Sequence, residues 1–302
     1  MNVSGKWRVA AVAVVVLGAS LTPAPVLAAG AEAEVEELQM PAWLTRDGQR
    51  QPLAPGVQLK SGDTITTGEG SRVLLRLAEG SAVKLGEKAR LELASVAQKR
   101  EGGRQRFSAR LELRQGAFRF TTPPDDKARN ARSIEVKLPT LTATVVGTDL
   151  WGRSAEGEEI VALIDGKISI TRGADAPVAM TEARTVYIAP PDAPPRPVSA
   201  ITLAQLNAYA QETELQPGTG VAGRVGNYKV YAARTPNQQE ARAVYDRLRE
   251  AGYAAAIQPA VSQGKQIYQV RIAGILSEAD GVAMAIKLRV QLGLQDVHVS
   301  LQ

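Results

Sequence analysis

Side chains able to do covalent chemistry are scarce here: across 302 residues there is no cysteine and a single histidine, His298. Thiol nucleophiles and histidine-rich metal sites are thereby excluded, and a Ser–His–Asp arrangement would have to recruit His298. That residue sits in a terminal strand pattern and reads as a surface histidine, since a useful base must also meet a positioned nucleophile. Paired carboxylates leave glycoside hydrolysis open as a chemistry. Asp63, however, follows Gly62 in a turn signal, where capping its own backbone is the expected role. The glycines are spaced as turns between strands and form no phosphate-cradling loop. The expectation is a protein with no catalytic residue, no metal and no cofactor.

The elements that would position any site fall into two regions. A chain of this length fits two modest cores. From Trp43 to Ile170 short alternating segments, Val73–Leu77, Ala82–Leu85, Arg90–Leu93, Arg110–Leu113 and Ile168–Ile170, each read as strands with one buried face. Gly62-Asp63, Glu79-Gly80-Ser81, Gln115-Gly116 and Asp165-Gly166 supply the turns between them. No sustained 3.6-residue period occurs there, so the region is expected to be all-β. Lys99 to Arg106 reads as an exposed basic hairpin tip. After a strand at Thr185–Ile188, the run Pro190 to Pro197 is expected to act as a semi-rigid spacer. Thr202-Leu203-Ala204-Gln205 has the form of a capping box opening a short helix, and Gln216 to Gly220 reads as a flexible connector. Two such connectors would let one module stay docked while the other samples nearby partners.

The C-terminal residues contain a weak internal repeat. Tyr228-Lys229-Val230-Tyr231-Ala232-Ala233 returns as Tyr268-Gln269-Val270-Arg271-Ile272-Ala273. Each copy precedes a helix-start signal, Thr235-Pro236 or Ser277-Glu278, and each helix closes at a glycine, Gly252 or Gly293. Ala241, Val244, Tyr245 and Leu248 form the expected buried stripe of the first helix; Ala279, Val282, Ala283, Ile286 and Val290 form that of the second. Strands at Tyr253–Ile257 and Val297–Leu301 would complete two strand–helix–strand halves of a ferredoxin-like, βαββαβ domain. Helices would then cover one sheet face. The other would present Lys229, Tyr231, Ile267, Gln269, Arg271, His298 and Ser300 to solvent.

At the N-terminus, Lys6 and Arg8 precede an apolar run from Val9 to Leu17 and the small-residue segment Pro25-Val26-Leu27-Ala28-Ala29, the order of an export signal cleaved after Ala28. The run is shorter than the ~20 apolar residues of a spanning helix, and no later stretch is long enough, so no stable membrane span is expected. Loss of Lys6 and Arg8 lowers the formal charge from +5 to +3. Export makes anionic wall polymers, and not nucleic acid, the beneficiaries of any basic patch.

Residues 227–302 resemble the SPOR domain. The likeness rests on Tyr228-Lys229-Val230, on Tyr268-Gln269-Val270-Arg271-Ile272, and on the spacing of helices and glycines. The chain departs from the family in having Tyr231 where Gln is common and Ala233 and Ala273 where Gly is common. The resemblance implies binding of peptidoglycan, preferentially glycan strands stripped of stem peptides, and many members gather at the division septum. It carries a sugar-contacting role onto Tyr231, Ile267, Gln269 and Arg271. That role suits their chemistry, because a pyranose has apolar C–H faces and a polar rim. Tyr231 and Ile267 offer a platform; Gln269 and Arg271 offer donors. RNA-binding sheets of this architecture need a Gly–aromatic run that is absent here.

Residues 41–190 resemble the FecR domain, through Gly62-Asp63-Thr64-Ile65-Thr66-Thr67-Gly68, Glu79-Gly80-Ser81, Leu113-Arg114-Gln115-Gly116 and Val145-Val146-Gly147-Thr148. The family's founding members are transmembrane regulators of sigma factors, but only eight residues precede the apolar run here. The resemblance therefore implies a solenoid-like scaffold that meets another envelope protein. The expected protein is multidomain and periplasmic: signal 1–28, β domain 41–190, a Pro/Gly-rich linker with a short helix at 191–226, and the wall-binding domain 227–302. The alternative is a membrane-anchored FecR-type signalling regulator that retains its N-terminal apolar run; a mature N-terminus at Ala29 separates the two.

Overall fold

The computed structural model describes residues 32–101, 104–123 and 131–301. The export-signal reading of residues 1–28 and the glycine tip of the basic hairpin, residues 102 and 103, lie outside them. In chain order the first strands are β1 (Ala33–Gln39), β2 (Ala42–Arg46), β3 (Gln49–Pro52), β4 (Gln58–Leu59), β5 (Thr64–Thr67), β6 (Arg72–Leu77) and β7 (Ala82–Leu85). Longer ones follow: β8 (Arg90–Glu101), β9 (Arg104–Thr121), β10 (Ala131–Lys137), β11 (Leu141–Ala155) and β12 (Glu158–Arg172), then the short β13 (Val178–Met180), β14 (Thr185–Ala189) and β15 (Ser199–Ala200). Helix α1 (Leu203–Thr213) and β16 (Val221–Gly223) lead into β17 (Tyr228–Thr235), α2 (Gln238–Glu250), β18 (Ala255–Ser262), β19 (Lys265–Ile275), α3 (Glu278–Leu292) and β20 (His298–Leu301).

The region up to β15 is all-β because its sequence alternates. Val73, Leu75 and Leu77 on β6, Val83 and Leu85 on β7, and Leu91 and Leu93 on β8 are buried, and each such side chain contributes about 1.5–3 kcal/mol on burial. Two of the glycine-bearing motifs, at Gly116 and Gly147, fall where that alternation must change phase. On β9 Leu111 and Leu113 point inward, and so do Phe118 and Phe120. The switch occurs at a register shift opposite Arg90 and Leu91, beside Gly116, whose φ is +88° and where a Cβ would lie 2.5 Å from the Ala89 Cα. Gly147 does the same on β11, between Val145 and Thr148. The pairings do not record the stacked parallel coils expected of a solenoid-like scaffold. Apart from β9 with β10 they are antiparallel, dominated by the long hairpins β8–β9 and β11–β12.

In the C-terminal region β17 lies between β20 and β19, and β19 also pairs with β18, all antiparallel. Gln263 and Gly264, both with positive φ, make the two-residue turn between β18 and β19. Both helices pack on the same set of strands. Ser277 caps α3 as its sequence signal implies, and Asn237 caps α2. The α2 stripe is as read, with Ala241 and Leu248 buried and Val244 and Tyr245 against the core.

The α3 stripe requires correction. Its buried face is Gly281, Met284, Ala285 and Leu288, whereas Val282, Ile286 and Val290 are exposed. The helix is apolar around most of its circumference, so two stripes compete. Gly281 decides between them, because it lets the helix approach Val299 so closely that a Cβ would sit 2.5 Å from Val299 Cγ1.

The connectors are docked, contrary to the tether expected from their composition, and the described residues form one compact unit. Helix α1 has its capping box and lies on the β region, where Tyr209 stacks on Trp151 with ring centroids 4.2 Å apart and Glu212 pairs with Arg153 at 3.0 Å. Glu214 reaches Lys84 and Arg119. Farther on, β16 pairs with β1 and, through Ala222 and Ile275, with β19. Gly252 is pressed against Trp43 and Pro41, and its carbonyl accepts the Ala42 N–H. Proline and glycine removed helix and strand options from these connectors without removing their hydrogen-bonding groups, which found partners in the folded chain.

Candidate functional site

The sheet face opposite the helices is assembled from β17, β18, β19 and β20. Antiparallel register sets Tyr231 directly between Arg271 on β19 and His298 on β20. Tyr231 and His298 stack with centroids 5.0 Å apart and planes 9° from parallel. Arg271 Nη2 donates to Gln258 Oε1 at 2.6 Å. Gln269 lies opposite Gln258 on one side and Arg234 on the other, and the Arg234 guanidinium is 5.6 Å from the Tyr231 ring centre. Ile267 faces Ala260 toward the β18–β19 turn. Tyr231, Gln269 and Arg271 thus form one cluster, with Ile267 at its margin; all four are half-buried.

Sequence reasoning missed Arg234 and Gln258. Strict alternation along β17 puts Ala233 beside Tyr231 and turns Arg234 toward the helices. A bulge between Tyr231 and Ala233 reverses this, pairing Ala233 with the buried Val270 and Arg234 with Gln269. The signal was the doubled alanine, Ala232-Ala233, small enough for both to lie on the core side. Gln258 was lost because the expected strand stopped at Ile257, whereas β18 runs on to Ser262. His298, read as a plain surface residue, is exposed but contributes a second ring to the platform.

Among the described residues no helix lies over this face, and the β region approaches it at one corner. There Ala54, Pro55 and Arg224 face Ala256, Arg271 and Ala273 across a cleft of ≈ 270 Å³. A separate cleft of ≈ 710 Å³ in the β region brings together Arg72, Arg114, Arg153, Glu87 and Glu212. Burial pushes the Glu212 carboxyl up, against the pull of Arg153 and Arg72. Glu87 accepts the Gly70 N–H at 2.8 Å. Among the described residues no group of three or more His, Cys, Asp or Glu is arranged to hold a metal ion. Asp63 does cap its turn, accepting the Lys60 N–H at 2.8 Å, and is also gripped by Arg46 Nε and Nη2 at 2.8 and 2.6 Å.

Comparison with known proteins gives two matches to family models: FecR protein over residues 63–169, and SPOR domain over residues 225–300. Among the curated proteins none matches. Two crystal structures of a provisionally assigned anti-sigma factor from Parabacteroides distasonis are similar to the chain. One has 14% identity and a TM-score of 0.41 over 79% of this chain and 97% of that one; the other has 13% and 0.40 over 79% and 99%. Likeness at that level carries no argument. Both matched families are non-catalytic, regulatory or binding families, and a SPOR domain implies peptidoglycan binding at the cell envelope. No helix among the described residues is long and apolar enough to cross a membrane.

Proposed function

We propose that this chain, which carries a FecR domain and a SPOR domain, is a non-enzymatic periplasmic protein that holds denuded glycan strands on its C-terminal sheet face. In this reading residues 1–28 are removed on export, residues 227–302 are a ferredoxin-like wall-binding domain, and the β domain, residues 41–190, is a scaffold that meets another envelope protein. The strand order β20–β17–β19–β18, antiparallel throughout, supports the ferredoxin-like assignment.

The observation that carries the proposal is the uncovered cluster of Tyr231, Gln269 and Arg271. An aromatic face flanked by amide and guanidinium donors matches a pyranose, whose C–H face stacks on the ring while its hydroxyls take the donors. Because the connectors are docked, the scaffold and the wall-binding face would move as one body, so a partner of the β domain would be held at a set orientation to the glycan. Septal enrichment follows if stripped strands are concentrated there.

Co-sedimentation of the full chain with purified sacculi tests the proposal. Retention is expected to rise after amidase treatment, and Tyr231→Ala and Gln269→Ala should each weaken it at least about tenfold while leaving the circular dichroism spectrum unchanged. Failure of the unaltered chain to sediment with either preparation would reject the function. Indifference to both substitutions would reject the site.

A further inference from the structure

The charges on this face are all of one sign. The positions that share it include Lys229, Arg234, Lys265 and Arg271 among the cations, and no aspartate or glutamate occupies any of its strand positions. Among the described residues none of the four has a carboxylate partner: Arg271 binds an amide and Arg234 faces a ring. Elsewhere on the surface basic residues do pair with acids, as Arg76 with Glu36 and Arg242 with Asp246. A row of unpaired cations is self-repelling, and its natural complement is a ligand bearing spaced negative charge.

Resting on the glycan-binding reading above, we propose that the face recognises the free lactyl carboxylates of denuded strands, with Arg234 and Arg271 as the principal readers. The amide hydrolysis that releases a stem peptide adds water across the bond between the lactyl carbonyl and the peptide nitrogen. It leaves an amine on the departing peptide and a carboxylate on the muramic acid. An intact strand has no charge at that carbonyl; a stripped strand has one in every disaccharide. Guanidinium groups suit this anion because their planar fork donates two parallel hydrogen bonds to a carboxylate. Lys229 and Arg234, five residues apart on β17, are separated by about 16 Å of strand, so cations are spread along the face and not gathered at one point. Tyr231 lies between them, where a sugar ring between charged positions would stack. Preference for stripped strands thereby becomes an electrostatic selection added to the steric room left by the missing peptide.

The test compares binding of the full chain to amidase-stripped strands and to the same strands with their carboxylates converted to methylamides by carbodiimide coupling. Capping is expected to weaken binding about tenfold or more and to flatten its dependence on salt. Arg234→Gln with Arg271→Gln should weaken binding to stripped strands far more than binding to capped ones, so that the difference between the two preparations disappears. Capped strands binding as tightly as stripped strands would overturn the charge reading alone, leaving glycan binding intact. Absence of binding to both would overturn the two together.

Discussion

Asp280→Ala should destabilise the fold by about 3–5 kcal/mol, because a single buried carboxylate ties the connector to α3. Asp280 is 2% exposed, and its Oδ1 accepts the N–H groups of Gly218, Gly220 and Val221 at 2.8, 3.0 and 2.9 Å. The Ser277 hydroxyl donates to Oδ2 at 2.5 Å and in turn accepts the Asp280 N–H, capping the helix. Alanine would leave three connector N–H groups without an acceptor and remove the negative charge from the positive end of the helix. Asparagine keeps one acceptor oxygen and should lose roughly half as much. Burial by itself would raise the carboxyl pKa, but the hydroxyl and the three N–H donors outweigh it and hold it below the ordinary value of 3.8. The linked stability is therefore fully present above that value and is lost as pH falls through the lower folded one. Urea midpoints measured from pH 7 down to pH 2 should show an acid-side decline that is shallower in Asp280→Ala.

A second large effect is expected at Asp63, which is fully buried and bound by both Arg46 nitrogens and the Lys60 N–H. Removing its carboxylate strands the N–H and leaves a guanidinium that is only 30% exposed, a loss of about 3 kcal/mol. Asp63→Asn retains the turn cap and loses only the ion pair, so it should fall well short of that figure. Equal urea midpoints for the alanine variant and the unaltered chain would show that the pair contributes nothing net.

Much of this architecture is legible in the sequence, because alternation and capping are local. The inward residues of β6 and β7, the capping box at Thr202 and Gln205, and the repeated strand–helix–strand halves all follow from side chains within a few positions of each other. What is not legible depends on distant partners. Nothing near Gly218 announces that its N–H will meet Asp280, so the connector reads as loose although it is docked. The α3 face turns on how near Gly281 comes to Val299, a contact between residues that are not neighbours in the chain. In the candidate site the core of the cluster, Tyr231, Gln269 and Arg271, follows from period-two alternation. Arg234 does not, because the bulge that turns it outward is set by pairing with β19 and not by β17 alone.

Docked connectors change the mechanical picture of the molecule. With β16 paired to both β1 and β19, and Gly252 seated on Trp43, force on a bound strand would pass directly into the β region. Wall binding by the C-terminal sheet requires that a glycan sit on its open face. Amide chemical shifts of the isotope-labelled chain, followed as stripped glycan strands are added, locate it residue by residue. The expected perturbations cluster at Lys229 to Arg234, Ala256 to Ala260, Ile267 to Arg271 and His298 to Ser300. Changes confined to the β-region cleft around Arg72 and Arg153, with those strands silent, would contradict it.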